Sequence, residues 1–296
     1  MNDIVIMYHY VREKESWTGS VPINPEDFRK QIEWVKENYE IISPDEMNRI
    51  TKKPKCIISF DDATKDQYSI AYPILKELKV PGYFTVMSAP LEFGVIPIFH
   101  LVHTVLSHFT DEEIWNELNT RFYIPDLTEK SSYYSYETNV YRRYNKYVFN
   151  FLLNEQSSRS YLEGKVSTIY GSLQSFINAF YISSEELMDM EENGMTLGVH
   201  CVKHLPYQGD AQQFYNAEIA PCKSFMQREL GITPHWYTPA FGGGENTRQM
   251  QLELEPILRV NGFKGAFTTV EDYTTLTNKT FWFNRFDCNR LKFVDK

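Results

Sequence analysis

Two histidines four residues apart, His200 and His204, and two adjacent carboxylates, Asp61 and Asp62, are the side chains best placed by type and spacing to do chemistry. Two imidazoles at i and i+4 can close on one metal ion. A catalytic zinc site keeps three protein ligands and one position open for water. Asp62, His200 and His204 would make such a set, with Asp61 left over as a base. Each half also has a plainer reading. Asp is a favoured helix N-cap, so the acid pair alone is as consistent with capping as with catalysis. A lone His-x-x-x-His arises by chance and is more often structural. The two features gain weight together, because both lie at predicted strand ends.

The elements that must position them alternate. Ile4 to Met7 is an unbroken apolar run, the pattern of a buried strand, and it leads into Tyr8-His9-Tyr10. Asn24-Pro25-Glu26 starts a helix, with Phe28, Ile32, Val35 and Tyr39 at helical spacing. Cys56 to Phe60 is a second buried strand that delivers Asp61 and Asp62 at its end. Ile70, Ile74, Leu75 and Leu78 predict a helix after it, with Pro73 weakening its first half. Gly82 to Met87 is the next strand. Strand, helix and strand at this spacing predict a βαβ unit and a parallel sheet.

The rhythm stops from about Leu91 to Ile182, which reads as mainly helical, polar and Tyr-rich, an insertion or cap at 91–182 within one domain spanning 1–296. It resumes with Ser183-Ser184-Glu185-Glu186, a capping box, and a helix that ends near Gly194. Strands are predicted at Met195–Val199, His235–Thr238, Phe263–Thr268 and Phe281–Phe283. The candidate residues therefore all follow strands, on the rim where parallel α/β barrels do their chemistry.

Composition excludes some functions. With 30 basic and 39 acidic residues the net charge is −9, which argues against nucleic acid or an anionic membrane as the main partner. Cys56, Cys201, Cys222 and Cys288 are scattered without a C-x-x-C pair and read as reduced thiols. No basic n-region precedes Ile4, so the expectation is a cytoplasmic protein without a signal peptide. No apolar run reaches the roughly 18 residues of a spanning helix, so no transmembrane segment is expected.

Three segments carry a resemblance to a known family. Phe60-Asp61-Asp62-Ala63, His200-Cys201-Val202-Lys203-His204 and Tyr237-Thr238-Pro239-Ala240-Phe241-Gly242 resemble the first three motifs of the polysaccharide deacetylases, carbohydrate esterase family 4. The likeness extends to Pro73–Leu78, Val80–Val86, Glu191–Gly194 and Gly231–Pro234, and leaves out the insertion. It implies a distorted (β/α)7 barrel with a mainly helical insertion. It implies an enzyme that removes an acetyl group from an N-acetylated sugar. By position Asp61 is similar to the family's catalytic base, and Asp62, His200 and His204 to its metal ligands, with Zn2+ the expected ion. A backbone N–H of the third motif, that of Phe241, is the candidate oxyanion donor, with Thr238 beside it.

The chain departs from the family's pattern in ways that bear on mechanism. No His follows His235, so a C-terminal Leu-x-His acid is absent. Met7-Tyr8-His9-Tyr10-Val11 resembles a subgroup with that His on the first strand, which makes His9 the expected general acid. Ala63 replaces the Gly of the first motif and Cys201 the hydroxyl residue of the second. Thr238 stands where the third motif has the Arg that orients the base. Arg285 is the candidate substitute, and Asp287 would orient it or His9; a surface salt bridge is the plainer reading of both. His100, His103 and His108 read as a helix face rather than a metal site, and the Tyr cluster of the insertion as packing.

The expected function is a metal-dependent hydrolase that deacetylates an N-acetylated sugar or glycan precursor in glycan biosynthesis. A deformylase or small-amide hydrolase on the same barrel, and a carbohydrate-binding pseudoenzyme that lacks the motif Arg and the Leu-x-His, remain alternatives. Oligomeric state is left open by the sequence.

Overall fold

The computed structural model describes residues 2–291. Among them, one parallel sheet is built from β1 (Ile4–Tyr8), β2 (Glu40–Ile41), β3 (Lys55–Phe60), β4 (Tyr83–Met87), β5 (Thr196–Cys201), β6 (Trp236–Tyr237), β7 (Gly265–Phe267), β8 (Trp282–Phe283) and β9 (Phe286–Asp287). The strand order is β8-β7-β6-β5-β4-β3-β1-β9, with β2 paired to β3 off this path. Asn284 and Arg285 alone separate β8 from β9, yet those strands lie at opposite ends of the order. A two-residue link spans such a distance only if the sheet curls round on itself. The fold is α/β, a distorted (β/α)7 barrel with a mainly helical insertion.

The chain forms two compact units. One comprises Met1–Arg12, Pro22–Val95 and Asn178–Lys296, and holds the sheet; the other comprises Glu13–Val21 and Ile96–Ile177. The second unit is helical, with Ile98–His108, Asp111–Arg121, Val140–Tyr147 and Glu155–Tyr170 as its main helices. Within it the buried Arg142 pairs with Asp111 at 2.5 Å and donates to the carbonyls of Thr18 and Leu106, which fastens residues 13–21 to the helices. His100 and His108 lie on Ile98–His108, and His108 Nδ1 is 2.8 Å from the Thr104 carbonyl of its own helix.

Side-chain alternation sorts the barrel unit into two apolar layers. Ile4, Ile6 and Tyr8 of β1 and Cys56, Ile58 and Phe60 of β3 pack with the surrounding helices. Val5, Ile57, Tyr83, Trp236, Phe267 and Phe283 form the inner cluster. Strands buried on both faces read as continuous apolar runs, which is why β1, β3 and β4 stand out in the sequence. The register Val5↔Ile57 and Met7↔Ser59 keeps inner residues level across β1 and β3. Asp61 continues the inner row of Ile57 and Ser59, and His200 that of Gly198.

One local feature departs from expectation and another matches it. The helix after β3 begins as a π-helical segment, Gln67–Ala71, and Pro73 falls in the first turn of the α-helix Tyr72–Leu78. There its missing N–H is least harmful. The capping box at Ser183 forms, with Glu186 N–H donating to the Ser183 hydroxyl and Ser183 N–H to the Glu186 carboxylate.

Gly198 is small because Tyr83 crosses the inner face above it: a Cβ there would lie 2.4 Å from the Tyr83 hydroxyl and 2.5 Å from its ring. Gly198→Ala should therefore overpack the barrel and cost about 1–3 kcal/mol, read from urea unfolding. An unchanged urea midpoint would mean that the ring moves aside freely.

Candidate active site

The site is built where β1, β3, β5 and β6 end. Asp61 follows β3 directly, and its N–H donates to the Tyr8 carbonyl at the end of β1. Its carboxylate is buried and meets Arg285 in a fork, Nη1 to Oδ1 and Nη2 to Oδ2, both at 2.8 Å. Arg285 is fully buried; its Nε donates to the Thr268 carbonyl at 2.7 Å, and Nη1 also reaches the Ser59 hydroxyl at 3.4 Å. The Thr85 hydroxyl adds a contact to Asp61 Oδ1 at 3.3 Å. Burial pushes the Asp61 carboxyl up, but the Arg285 charge and hydrogen bonds outweigh it and hold the group below its ordinary value. Asp61 is thus ionised, oriented and enclosed.

His9 Nε2 stands 3.9 Å from Asp61 Oδ2, and the His9 side chain keeps 41% of its surface exposed. It is the solvent-facing titratable group beside the buried carboxylate. Gln67 braces this corner, since its side-chain amide donates to the main-chain carbonyls of both His9 and Asp61.

Asp62 would point away from Asp61 if the strand simply continued. It takes φ +77°, and Ala63 follows at φ +50°, which turns the second carboxylate toward β5. Asp62 Oδ1 lies 3.2 Å from His200 Nε2 and 3.8 Å from His204 Nε2. These three residues are the one group of His, Cys, Asp or Glu among the described residues whose ligand atoms converge, within 4.8 Å of one another. His100, His103 and His108 form no such group.

The donor set fits a divalent cation. His200 Nδ1 is 2.7 Å from the Thr238 carbonyl, so it carries the proton and Nε2 presents its lone pair. Nε2 is buried and faces the Asp62 carboxylate oxygen at 3.2 Å. Two lone pairs in that arrangement repel unless a cation sits with them. Lacking a metal, a proton is the substitute: burial disfavours charge on His200, but the hydrogen bond and charge of Asp62, with Asp61, raise its pKa overall. Carboxylate plus two imidazoles suits zinc best.

Thr238 is fully buried; its carbonyl serves His200 and its hydroxyl lies 3.2 Å from that of Tyr83. Phe241, at φ +54°, sets its ring edge-on to His204, with centroids 4.4 Å apart, and leaves 53% of its surface exposed. Asp287 accepts from the Asn289 N–H and caps the short turn Cys288–Arg290. The fork of Arg285 is held by Thr268 and Ser59 as well as by Asp61.

Sequence reasoning passed over Thr85 and Gln67. Thr85 left a trace, a polar residue inside the apolar run Tyr83–Met87. Gln67 left none, because its contacts are to main-chain carbonyls.

A family model described as polysaccharide deacetylase matches residues 128–255, a stretch that holds His200, His204 and the 237–242 turn. The Bacillus subtilis (strain 168) protein YxkH, which carries the polysaccharide deacetylase name, is 34% identical over 80 residues, 25% of this chain and 27% of that protein. The chain thus matches about a quarter of that relative's length. In fold, the chain is similar to the Streptococcus pyogenes deacetylase PplD in complex with acetate (TM-score 0.58, 17% identity, 97% of this chain and 92% of that one). It is also similar to IcaB from Ammonifex degensii (TM-score 0.56, 16% identity, 96% and 90%). In motifs and in fold the chain is thus similar to the polysaccharide deacetylases.

The Arg285–Asp61 fork gives a direct test of the site's electrostatics. Arg285→Met should leave a buried carboxylate uncompensated and lower stability by about 3–5 kcal/mol. Arg285→Lys should recover only part of this, since an ammonium cannot make the fork. Urea unfolding with chelator present measures both, and a wild-type midpoint for Arg285→Met would show that the pair is not holding Asp61.

Proposed function

We propose that the chain is a metal-dependent carbohydrate N-deacetylase. The observation that carries this reading is the pairing, within one site, of a buried ionised Asp61 with a separate three-ligand set on Asp62, His200 and His204. A single carboxylate cannot serve as both ligand and base; here the two duties fall to adjacent residues. Zn2+, held by Asp62, His200 and His204, would supply Lewis-acid polarisation of the amide carbonyl and a water of lowered pKa.

The chain's own groups then account for the proton movements. Asp61 takes a proton from the attacking water at Oδ2, the oxygen nearer His9, while Arg285 holds the carboxylate in place. As the C–N bond breaks, His9 Nε2 gives a proton to the departing amine, and acetate leaves with the oxygen of the water. The Phe241 N–H is the proposed oxyanion donor. Thr238 acts through His200, whose tautomer its carbonyl sets. Asp287 holds the turn that follows Arg285. With a guanidinium on Asp61 and His9 beside it, the two motives for a binding-only pseudoenzyme, the missing motif Arg and the missing Leu-x-His, lose force.

The substrate in this reading is an N-acetylated sugar or glycan precursor in glycan biosynthesis. Among the described residues no helix is long and apolar enough to cross a membrane. Cys56, Cys201, Cys222 and Cys288 are all buried and reduced, in keeping with the cytoplasmic setting proposed here.

Acetate release from N-acetyl sugars and metal content by mass spectrometry test the assignment together. Asp61→Asn should lower acetate release by about 10²–10⁴-fold while the ion stays bound. His200→Ala should lose the ion, and chelation of the wild type should abolish activity that zinc restores. His9→Ala should fall within the same range as Asp61→Asn; full activity in that variant would remove His9 as the acid. A wild type that binds zinc but hydrolyses no amide would leave the binding-module reading in its place.

A further inference from the structure

His204 closes the His-x-x-x-His spacing from outside any helix. β5 ends at Cys201, and the chain runs through a loop to the helix that starts at Ala211. His204 sits there at φ +64°. A residue other than glycine in the left-handed region costs on the order of 1–2 kcal/mol. It persists only where its surroundings over-determine it.

The over-determining group is Glu218. Its carboxylate is buried, and Oε2 accepts the N–H of Lys203 at 2.9 Å and of Leu205 at 3.3 Å. The intervening His204 N–H also draws on it. Successive N–H groups converging on one acceptor form a nest, a main-chain arrangement that needs a left-handed residue. Glu218 reaches the loop from a π-helical turn, Tyr215–Ile219, set between the α-helical stretches Ala211–Phe214 and Ala220–Glu229. Such a turn shifts the side-chain phase of the helix, and these bulges recur at functional sites.

We propose that Glu218 is the positioning residue of the metal centre, locking residues 203–205 so that His204 Nε2 faces Asp62. Glu218 touches the loop's main chain and acts through His204. The inference rests on the reading of Asp62, His200 and His204 as metal ligands. Burial pushes the Glu218 carboxyl up from its ordinary value, against the N–H groups that pull it down. Ionised or neutral, it offers the loop a carbonyl-type oxygen, and the amide of glutamine offers the same.

The test is zinc affinity of the full chain, measured by competition with a chelating dye, alongside the unfolding midpoint of each metal-free variant. Wild type should bind zinc and His200→Ala should not. Glu218→Ala should bind about 10–100-fold more weakly, the usual effect of losing a group that orients a ligand. Glu218→Gln should stay within a few-fold of wild type. Met226→Ala, a buried change on the following helix, should lower the midpoint and leave zinc affinity alone, which separates positioning from general destabilisation. Should Glu218→Ala not fold, Glu218→Asp carries the test with the same expected direction. Zinc affinity in Glu218→Ala equal to wild type would overturn the proposal. A wild type that binds no zinc would overturn the ligand assignment itself, and this proposal with it.

Discussion

A full negative charge inside a barrel is the constraint on which the rest of the structure turns. Moving a carboxylate out of water costs several kcal/mol even after the protein relaxes. Asp61 bears that burden, and Arg285 offsets it with both arms of its guanidinium. The guanidinium comes from the two-residue link between β8 and β9, the strands at opposite ends of the sheet order. Closing the barrel and balancing the Asp61 charge are therefore one event. A barrel left open at that seam would strand a charge in its interior, so the site favours the closed fold as much as the fold builds the site.

The second constraint is the alternation of side chains along a strand. It delivers Asp61 inward after Ile57 and Ser59, and His200 inward after Gly198. By the same rule it would send Asp62 outward. The chain breaks the rule with left-handed residues. Among the described non-glycine residues, Asp62, Ala63, Lys79, His204 and Phe241 have positive φ, and only Lys79, at a helix end, lies away from the site. Each such residue stores on the order of 1–3 kcal/mol. The strain is concentrated where neighbouring residues must face one point. It also accounts for a family preference: Ala63 stands where the first motif has Gly, at a φ that glycine adopts without a steric penalty.

Much of the fold was legible because parallel strands buried on both faces leave plain apolar runs, as at Ile4–Tyr8 and Tyr83–Met87. The capping box at Ser183 was legible because its chemistry is local. β2 and β9 leave no apolar run, since each couples one apolar residue to an acid, Glu40–Ile41 and Phe286–Asp287. The π-helical turns were invisible, since they shift the helical phase by one residue without a distinctive composition. Candidate ligands could be listed from residue type and strand-end position, and the structure shows how their atoms meet. The fork between Arg285 and Asp61 spans most of the chain, and nothing local to either residue encodes it. Glu218 was passed over for a related reason: its partners are main-chain N–H groups, and those have no residue type.

Thr238 and Arg285 are best understood as one exchange. The family's third motif places an Arg where this chain has Thr, and this chain places an Arg at 285 instead. Asp61 already meets Arg285, and Asp62 is turned toward His200 and His204. A second guanidinium would be a buried cation without a counter-charge, at a penalty of several kcal/mol. The space beside residue 238 is also taken, by the Tyr83 hydroxyl. With the cation at position 285, a short neutral side chain at 238 is the stable choice. The third-motif segment kept its other task, since Thr238 still offers its carbonyl to His200. The charge at Asp61 requires a balancing cation, and in this chain position 285 supplies it.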